Sequence, residues 1–275
     1  MKSSVIIKWL GVAGVELKIN DQVLLIDPYF TRFPFRKMWA GKVEPDHEVI
    51  VEKVKHCNHV LITHAHWDHI MDVPDVVRNT GAPAYGSANS CQLLEILGVS
   101  ERKIREIHYG DLLRLKDFRV EVLKARHWES PPFLPGPLAS NLKPPLRAKD
   151  YRMDNFLSFL IRAGDIYILT DTGAYPEDAV PADVLFVLAG MSREFYSSLL
   201  YIVQPKLIIA YHWDDLFRPL SKPIKPFLRH PRLKIPPIER IDLEKFGRLI
   251  GEIAPKTKVI IPEIFKPYDL GMFIK

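Results

Sequence analysis

The sequence predicts an α/β fold of four layers, αββα, in which two sheets pack face to face beneath outer helices. Three observations predict it: short apolar runs of strand character recur in both halves of the chain, capped helices fall between them, and 275 residues with 47% hydrophobic side chains suffice for a sizeable core. Strands and helices each carry an apolar face that must be buried, and this mixture buries most in two packed sheets with helices outside. Residues 1–275 are read as a single domain of that kind.

Residues 5–10 and 15–19 flank a Gly-x-x-Gly bend and read as two strands, and Asn20-Asp21 turns into a third over 23–26, ending at Asp27-Pro28. Residues 60–63 form a short continuous apolar run, the mark of a strand buried on both faces. Asp72 as N-cap, Pro74 in the first turn and Gly81 past the end predict a helix over 73–79, and Gly98 closes another over 90–97. Strands are predicted over 104–108, 111–115, 118–125, 156–162 and 165–170, the last two joined by an Ala163-Gly164 turn. Then come a strand over 184–188, a helix capped by Ser192 and running to residue 203, a strand over 207–210, a helix capped by Asp242 and a final strand over 257–261. The proline-rich stretches 131–145 and 219–237 are incompatible with regular helix or central strand, because proline lacks the backbone donor and fixes φ. Loops of that length suit a lid or a pocket wall.

Composition narrows the functional classes. Every apolar stretch is broken well short of the roughly 20 residues a membrane-spanning helix needs, and Lys8 interrupts the apolar start, so neither a span nor a signal peptide is expected. The two cysteines, Cys57 and Cys91, form no Cys-x-x-Cys pair, which argues against a disulfide framework or zinc ribbon and suits a cytoplasmic protein. The net charge of +5 is spread along the chain, with enrichment over 143–152 and 218–234, and reads mainly as solvated surface. A homo-oligomer is compatible with the sequence.

The chemistry is concentrated in Thr63-His64-Ala65-His66-Trp67-Asp68-His69, four metal-ligating side chains directly after a buried strand. Residues two apart in extended chain point the same way, so His64 and His66 can grip one ion. As the chain turns toward the next helix, Asp68 and His69 swing toward a second. Three imidazoles and a carboxylate placed together with no partner would be costly, which disfavours an ordinary polar loop.

His64-x-His66-x-Asp68-His69 resembles the signature of the metallo-β-lactamase superfamily, and other motifs of that superfamily follow in order: Asp27 ending a strand, His127 after strand 118–125, Asp171 after Tyr167-Ile168-Leu169-Thr170, and His212 after strand 207–210. The resemblance implies an αββα sandwich of the metallo-β-lactamase type. It implies one ion held by His64, His66 and His127, a second by Asp68, His69 and His212, and Asp171 bridging them, with Asp68 and Asp171 catalytic as well as metal-binding. Two divalent ions are implied, zinc by default and manganese or iron as alternatives, since imidazole suits zinc while carboxylates admit the others. Adjacent dications lower the pKa of a shared water from about 15.7 toward 7 and polarise a substrate oxygen, which makes hydrolysis the expected chemistry. Asp27 is expected to organise backbone rather than bind metal.

Trp9-Leu10-Gly11-x-Ala13-Gly14, Ile26-Asp27-Pro28 and His127-Trp128 are similar to the branch holding ascorbate-6-phosphate lactonase-like proteins and the phospholipase D acting on N-acyl phosphatidylethanolamines. That similarity implies a small anionic ester, lactone or phosphodiester as substrate, with Lys143, Arg147, Lys149 and Arg152 as candidates to hold its phosphate or carboxylate. Alternatives are a nucleic-acid phosphodiesterase, motivated by a pI near 9.0, and a metal-containing sensor without turnover. Flavodiiron proteins carry a glutamate where this chain has His66. Nucleases with an inserted β-CASP domain need more chain than lies between His127 and His212. Trp67, Trp128 and Trp213 adjoin proposed ligands and serve either to wall the site or to pack behind it, and Glu129, Asp214 and Asp215 are candidate acceptors for ligand imidazoles. His47, His56, His59, His108 and His230 fit no motif and read as ordinary polar groups.

Overall fold

The computed structural model describes residues 4–39, 41–127, 135–170, 173, 175, 178–228 and 239–274. The first sheet is built from β1 (Val5–Gly11), β2 (Gly14–Ile19), β3 (Gln22–Ile26), β4 (His59–Leu61), β5 (Ala84–Gly86) and β6 (Ile104–Glu106), and β14 (Pro267–Asp269) returns from late in the chain to pair with β1. The second runs in spatial order β13 (Lys258–Ile260), β12 (Leu207–Tyr211), β11 (Val184–Leu188), β10 (Ile166–Thr170), β9 (Phe156–Ala163), β8 (Phe118–Ala125), β7 (Leu112–Leu115). Each sheet is antiparallel on one side and parallel on the other: β1, β2 and β3 pair antiparallel before β4, β5 and β6 continue in parallel, and β7 to β10 do the same before β11 to β13.

The helices are α1 (His47–Lys53), α2 (Trp67–Ile70), α3 (Val73–Thr80), α4 (Ala88–Ile96), α5 (Arg193–Val203) and α6 (Leu243–Ile253). One apolar cluster spans both sheets, from Ile7 and Leu17 through Phe118 and Phe159 to Phe186 and Ile209. β8 alternates, with Phe118, Val120 and Val122 in that cluster, while Ala125 at its end packs with Met153 and Phe156. Ser192 accepts a bond from Phe195 N at 3.2 Å and Asp242 one from Lys245 N at 2.9 Å, so both expected helix caps form.

Two expectations are corrected, and two elements had not been expected. Asp72 occupies the N-cap position of α3 but makes no cap bond; its Oδ2 accepts from Phe30 N at 2.6 Å and Thr31 N at 2.8 Å, because burial of that neighbouring segment left two donors to satisfy. Residues 257–261 are not the last strand, since β14 follows them. The elements α1 and β5 went unforeseen: the apolar residues of α1, Val49, Ile50 and Val51, are consecutive rather than helically spaced, and a three-residue strand such as β5 or β14 carries no readable period. Among the described residues, no helix is long and apolar enough to cross a membrane. Residues 131–134 and 229–237 of the proline-rich stretches lie outside the described residues; the remainder holds only isolated bridges, such as Pro135 with Met153 and Asp214 with Pro226.

Candidate metal centre

The His-rich segment leaves β4, which lies between β3 and β5 with Val60 and Leu61 fully buried. Thr63 fixes its exit: its N–H donates to Asp27 Oδ1 at 2.8 Å and its hydroxyl to Asp27 Oδ2 at 2.6 Å, while its carbonyl accepts from Leu157 N at 2.8 Å and so ties the segment to the second sheet. His66 is extended, with φ −71° and ψ 150°, and helix α2 starts one residue later. His66 therefore leaves on extended backbone, while Asp68 and His69 are carried round on a helical turn.

Two triads result. In one, His64 Nε2 and His66 Nδ1 are 3.0 Å apart, and the ring of His127, at the end of β8, lies 5.2 Å from that of His64 and 4.9 Å from that of His66. In the other, Asp68 Oδ2 is 3.6 Å from His69 Nε2 and 3.5 Å from His212 Nε2. Within each triad the candidate ligand atoms lie within 4.8 Å of one another, and the rings of His64 and His69, one from each, are 3.9 Å apart.

Electrostatics prepares these groups to bind cations. Burial, reinforced by the imidazoles around it, holds His64 well below the ordinary histidine value, and burial with His127 close by pushes His66 down to about 3. Both stay neutral and keep a lone pair. Burial by itself would raise the Asp68 carboxyl, but His69 and His212 more than offset this and hold it below the usual range, so it is ionised. The donor set of imidazole nitrogens plus carboxylate fits a divalent first-row ion. Two nitrogens bound to one zinc at about 2.0–2.1 Å lie roughly 3 Å apart, the spacing His64 and His66 adopt.

The second triad rests on a buried polar scaffold. Asp27 Oδ2 accepts from His69 Nδ1 at 2.8 Å, which leaves His69 Nε2 facing Asp68. His212 sits at φ +52° on a turn whose N–H donates to Val12 O at 2.8 Å; that carbonyl also accepts from Trp9 Nε1, and Val12 N–H donates to Asp214 Oδ1 at 2.8 Å. Asp214 pairs with Arg32 at 2.9 Å in a site where both side chains are almost fully buried. A side chain at Gly11, whose φ is +97°, would bring Cβ to 2.3 Å from Arg32 Nη2, so this approach needs glycine.

The structure thus brings together His64, His66, Asp68, His69, His127 and His212. Asp171, Trp128 and Glu129 lie outside the described residues, as does His230. The sequence neighbours of Asp171 are tied to the centre: Thr170 ends β10, and Gly173 bridges Arg126, the residue before His127. Asp27 organises backbone and orients an imidazole. Asp214 and Asp215 do not serve imidazoles as expected. Asp214 is committed to Arg32 and Val12, because a buried guanidinium nearby takes the stronger acceptor, and Asp215 faces Arg240 at 3.8 Å. Trp67 packs among Tyr29, Phe33 and Phe217, and Trp213 stacks on Trp9 at 4.8 Å, so both are buried behind the site. Arg152 donates to Pro135 O at 2.8 Å, so its guanidinium is already engaged by backbone.

Sequence patterns did not point to Thr63, Arg32 or Phe156, whose ring packs 4.6 Å from His64 and 5.6 Å from His127. Their roles come from distant contacts, and no local pattern marks them. His127 and Phe156 also line a cavity of about 600 Å³ together with Tyr109, Lys124, Arg126 and Tyr175. The Arg126 guanidinium lies 4.0 Å over the Tyr175 ring and pairs with Asp178.

The beta-lactamase superfamily domain matches residues 22–213. The chain belongs to the metallo-β-lactamase superfamily. It is 23% identical over 267 residues to a UPF0173 metal-dependent hydrolase of Methanopyrus kandleri, an alignment covering 96% of this chain and 99% of that one. It is 27% identical over 272 residues to another from Thermoplasma acidophilum, covering 95% and 97%. The solved structure of Igni18, a metallo hydrolase from Ignicoccus hospitalis, matches with TM-score 0.63 at 17% identity over 96% of this chain and 97% of that one, a likeness of fold. This superfamily member is a metal-dependent hydrolase, and its α/β fold of two sheets with helices is the one expected from sequence.

Proposed function

We propose that this hydrolase is dinuclear, with His64, His66 and His127 holding one divalent ion, Asp68, His69 and His212 the other, and Asp171 bridging them, and that it cleaves a small anionic ester, lactone or phosphodiester. The observation that carries the proposal is the contiguity of the two triads, with the His64 and His69 rings 3.9 Å apart. When bound, such an ion pair supplies Lewis-acid chemistry, activating water for attack and polarising the scissile group. Zinc is the ion that best suits five imidazoles, with manganese or iron as the alternatives.

The chain's own groups do the rest. Asp27 holds His69 in the tautomer that presents Nε2 inward, and Asp68 stays ionised between His69 and His212. Phe156 packs edge-on against the His64 and His127 rings and limits their movement. In the cavity beside His127, Lys124 supplies positive charge for an anionic substrate, and Tyr109 and Tyr175 supply flat apolar surface for its organic part.

The test is elemental mass spectrometry of the purified protein beside turnover of bis-p-nitrophenyl phosphate, a lactone and a thioester, for wild type and Asp171→Ala. Two ions per chain and metal-dependent turnover that collapses in the variant are expected. A protein that takes up no metal on reconstitution, or turnover indifferent to Asp171, would refute the dinuclear reading.

A further inference from the structure

Phe35 and Trp39 lie on the short 3-10 turn Phe35–Met38 and its exit, and Trp39 is 66% exposed and Phe35 42%, although Met38 between them is buried and anchors the turn to the core. Arg36 and Lys37 share the turn, and Lys42 follows it. Two contacts set a second basic loop beside it. Val43 N donates to Leu146 O at 2.8 Å, and the 3-10 turn Ala148–Asp150 packs against Phe35–Met38. That brings Lys143, Arg147 and Lys149 alongside. Among the described residues, none of these six cations takes part in an ion pair. The exposed acids of the same loop are Glu44, Asp46 and Glu48; Asp46 accepts from Val49 N at 3.2 Å and Asp150 from Arg147 N at 2.8 Å, and the six cations outnumber these four carboxylates.

We propose that this surface docks on an anionic lipid bilayer, Trp39 and Phe35 entering the interfacial layer and the six cations meeting the headgroup phosphates. An exposed tryptophan beside a surplus of lysine and arginine side chains that, among the described residues, take part in no ion pair combines the apolar and the electrostatic signals that reversible membrane attachment requires. Single-stranded nucleic acid asks for something else, a groove in which successive aromatics stack on bases. Here two exposed aromatics share one short turn, and the cations spread over two loops, as a charged plane would meet them. The Phe35 ring lies 5.0 Å from Phe217, and Phe217 lies 5.6 Å from Trp67, the residue between His66 and Asp68, so the docking turn connects by ring contacts to the segment that carries the triads.

The experiment is co-sedimentation of the full, metal-loaded chain with vesicles of phosphatidylcholine alone and of phosphatidylcholine mixed with phosphatidylglycerol, at low and at raised salt, with intrinsic tryptophan emission as the second readout. Binding to the mixed vesicles only, lost at raised salt and accompanied by a blue shift, is expected. Trp39→Ala and the triple variant Arg36→Gln, Lys37→Gln, Lys42→Gln should each weaken it about tenfold or more, with melting temperature and turnover of a soluble ester unchanged. Absence of sedimentation with either vesicle, binding indifferent to both variants, or binding of polyuridylate in place of vesicles would overturn the proposal, the last reassigning the surface to a nucleic acid.

Discussion

The two triads of the candidate centre are built by different means. His64 and His66 come from one short segment, two residues apart, and the first triad needs only His127 from elsewhere. The second depends on contacts that cross the chain: Asp27 to His69, Val12 to His212, and Arg32 to Asp214, the last 182 residues apart. The first is therefore a product of local geometry and burial, the second of a buried polar network. Damage to that network should reach the Asp68, His69, His212 side first.

The largest expected effect is from Asp214→Ala, which strands the Arg32 guanidinium in a dry site and should cost about 3–5 kcal/mol in chemical denaturation. Replacing both partners, Arg32→Met with Asp214→Leu, should recover much of that stability. If the single variant loses under about 1 kcal/mol, the scaffold is not what holds the His212 turn.

Next is a pH effect at Asp72, three residues beyond His69. Burial, opposed by the bonds from Phe30 and Thr31, raises its carboxyl from 3.8 to about 6. A raised carboxyl binds its proton more tightly in the folded chain, so its contribution is most favourable below the unfolded value and is lost as pH rises through about 6. At about 1.4 kcal/mol per pH unit, the interval is worth about 3 kcal/mol by pH 7. The stability difference between wild type and Asp72→Asn should shift by that amount between about pH 4 and 7, whereas parallel pH profiles would show that the Asp72 carboxyl titrates alike in the folded and unfolded chain.

Asp27→Asn would set an amide N–H group against Thr63 or His69 and favour the His69 tautomer with its proton on Nε2. Metal affinity on that side should fall about 10–100-fold while the other ion is retained, as read by metal per chain after dialysis against graded chelator. Simultaneous loss of both ions would mean the triads are not separable. The smallest effect is from Trp9→Phe, which removes the indole bond to Val12 and part of the stack on Trp213, for a loss of about 1 kcal/mol in thermal unfolding.

The same division explains what could be read from sequence. Strands 118–125 and 184–188 and the helix after Ser192 coincide with β8, β11 and α5 because short apolar runs and a cap are local signals. The six residues gathered at the centre were legible because their order and strand-end positions form a pattern. Arg32 and Thr63 were not, since a buried guanidinium and a threonine acquire their meaning only from Asp214 and Asp27. Asp72 misled for a related reason: an aspartate before a helix looks like a cap, and only the fold reveals that two donors at residues 30 and 31 compete for it.

Strand β14 gives the first sheet a particular history. Its register, Ile6 with Asp269 and Ile7 with Tyr268, joins a strand made early in synthesis to one made late. Until β14 has emerged from the ribosome, β1 therefore presents an open edge. Such long-range closure is slow, and an uncovered edge is a template for pairing with other chains. A nascent chain stalled before residue 267 would carry all six triad residues while the border of the first sheet is still open to its neighbours.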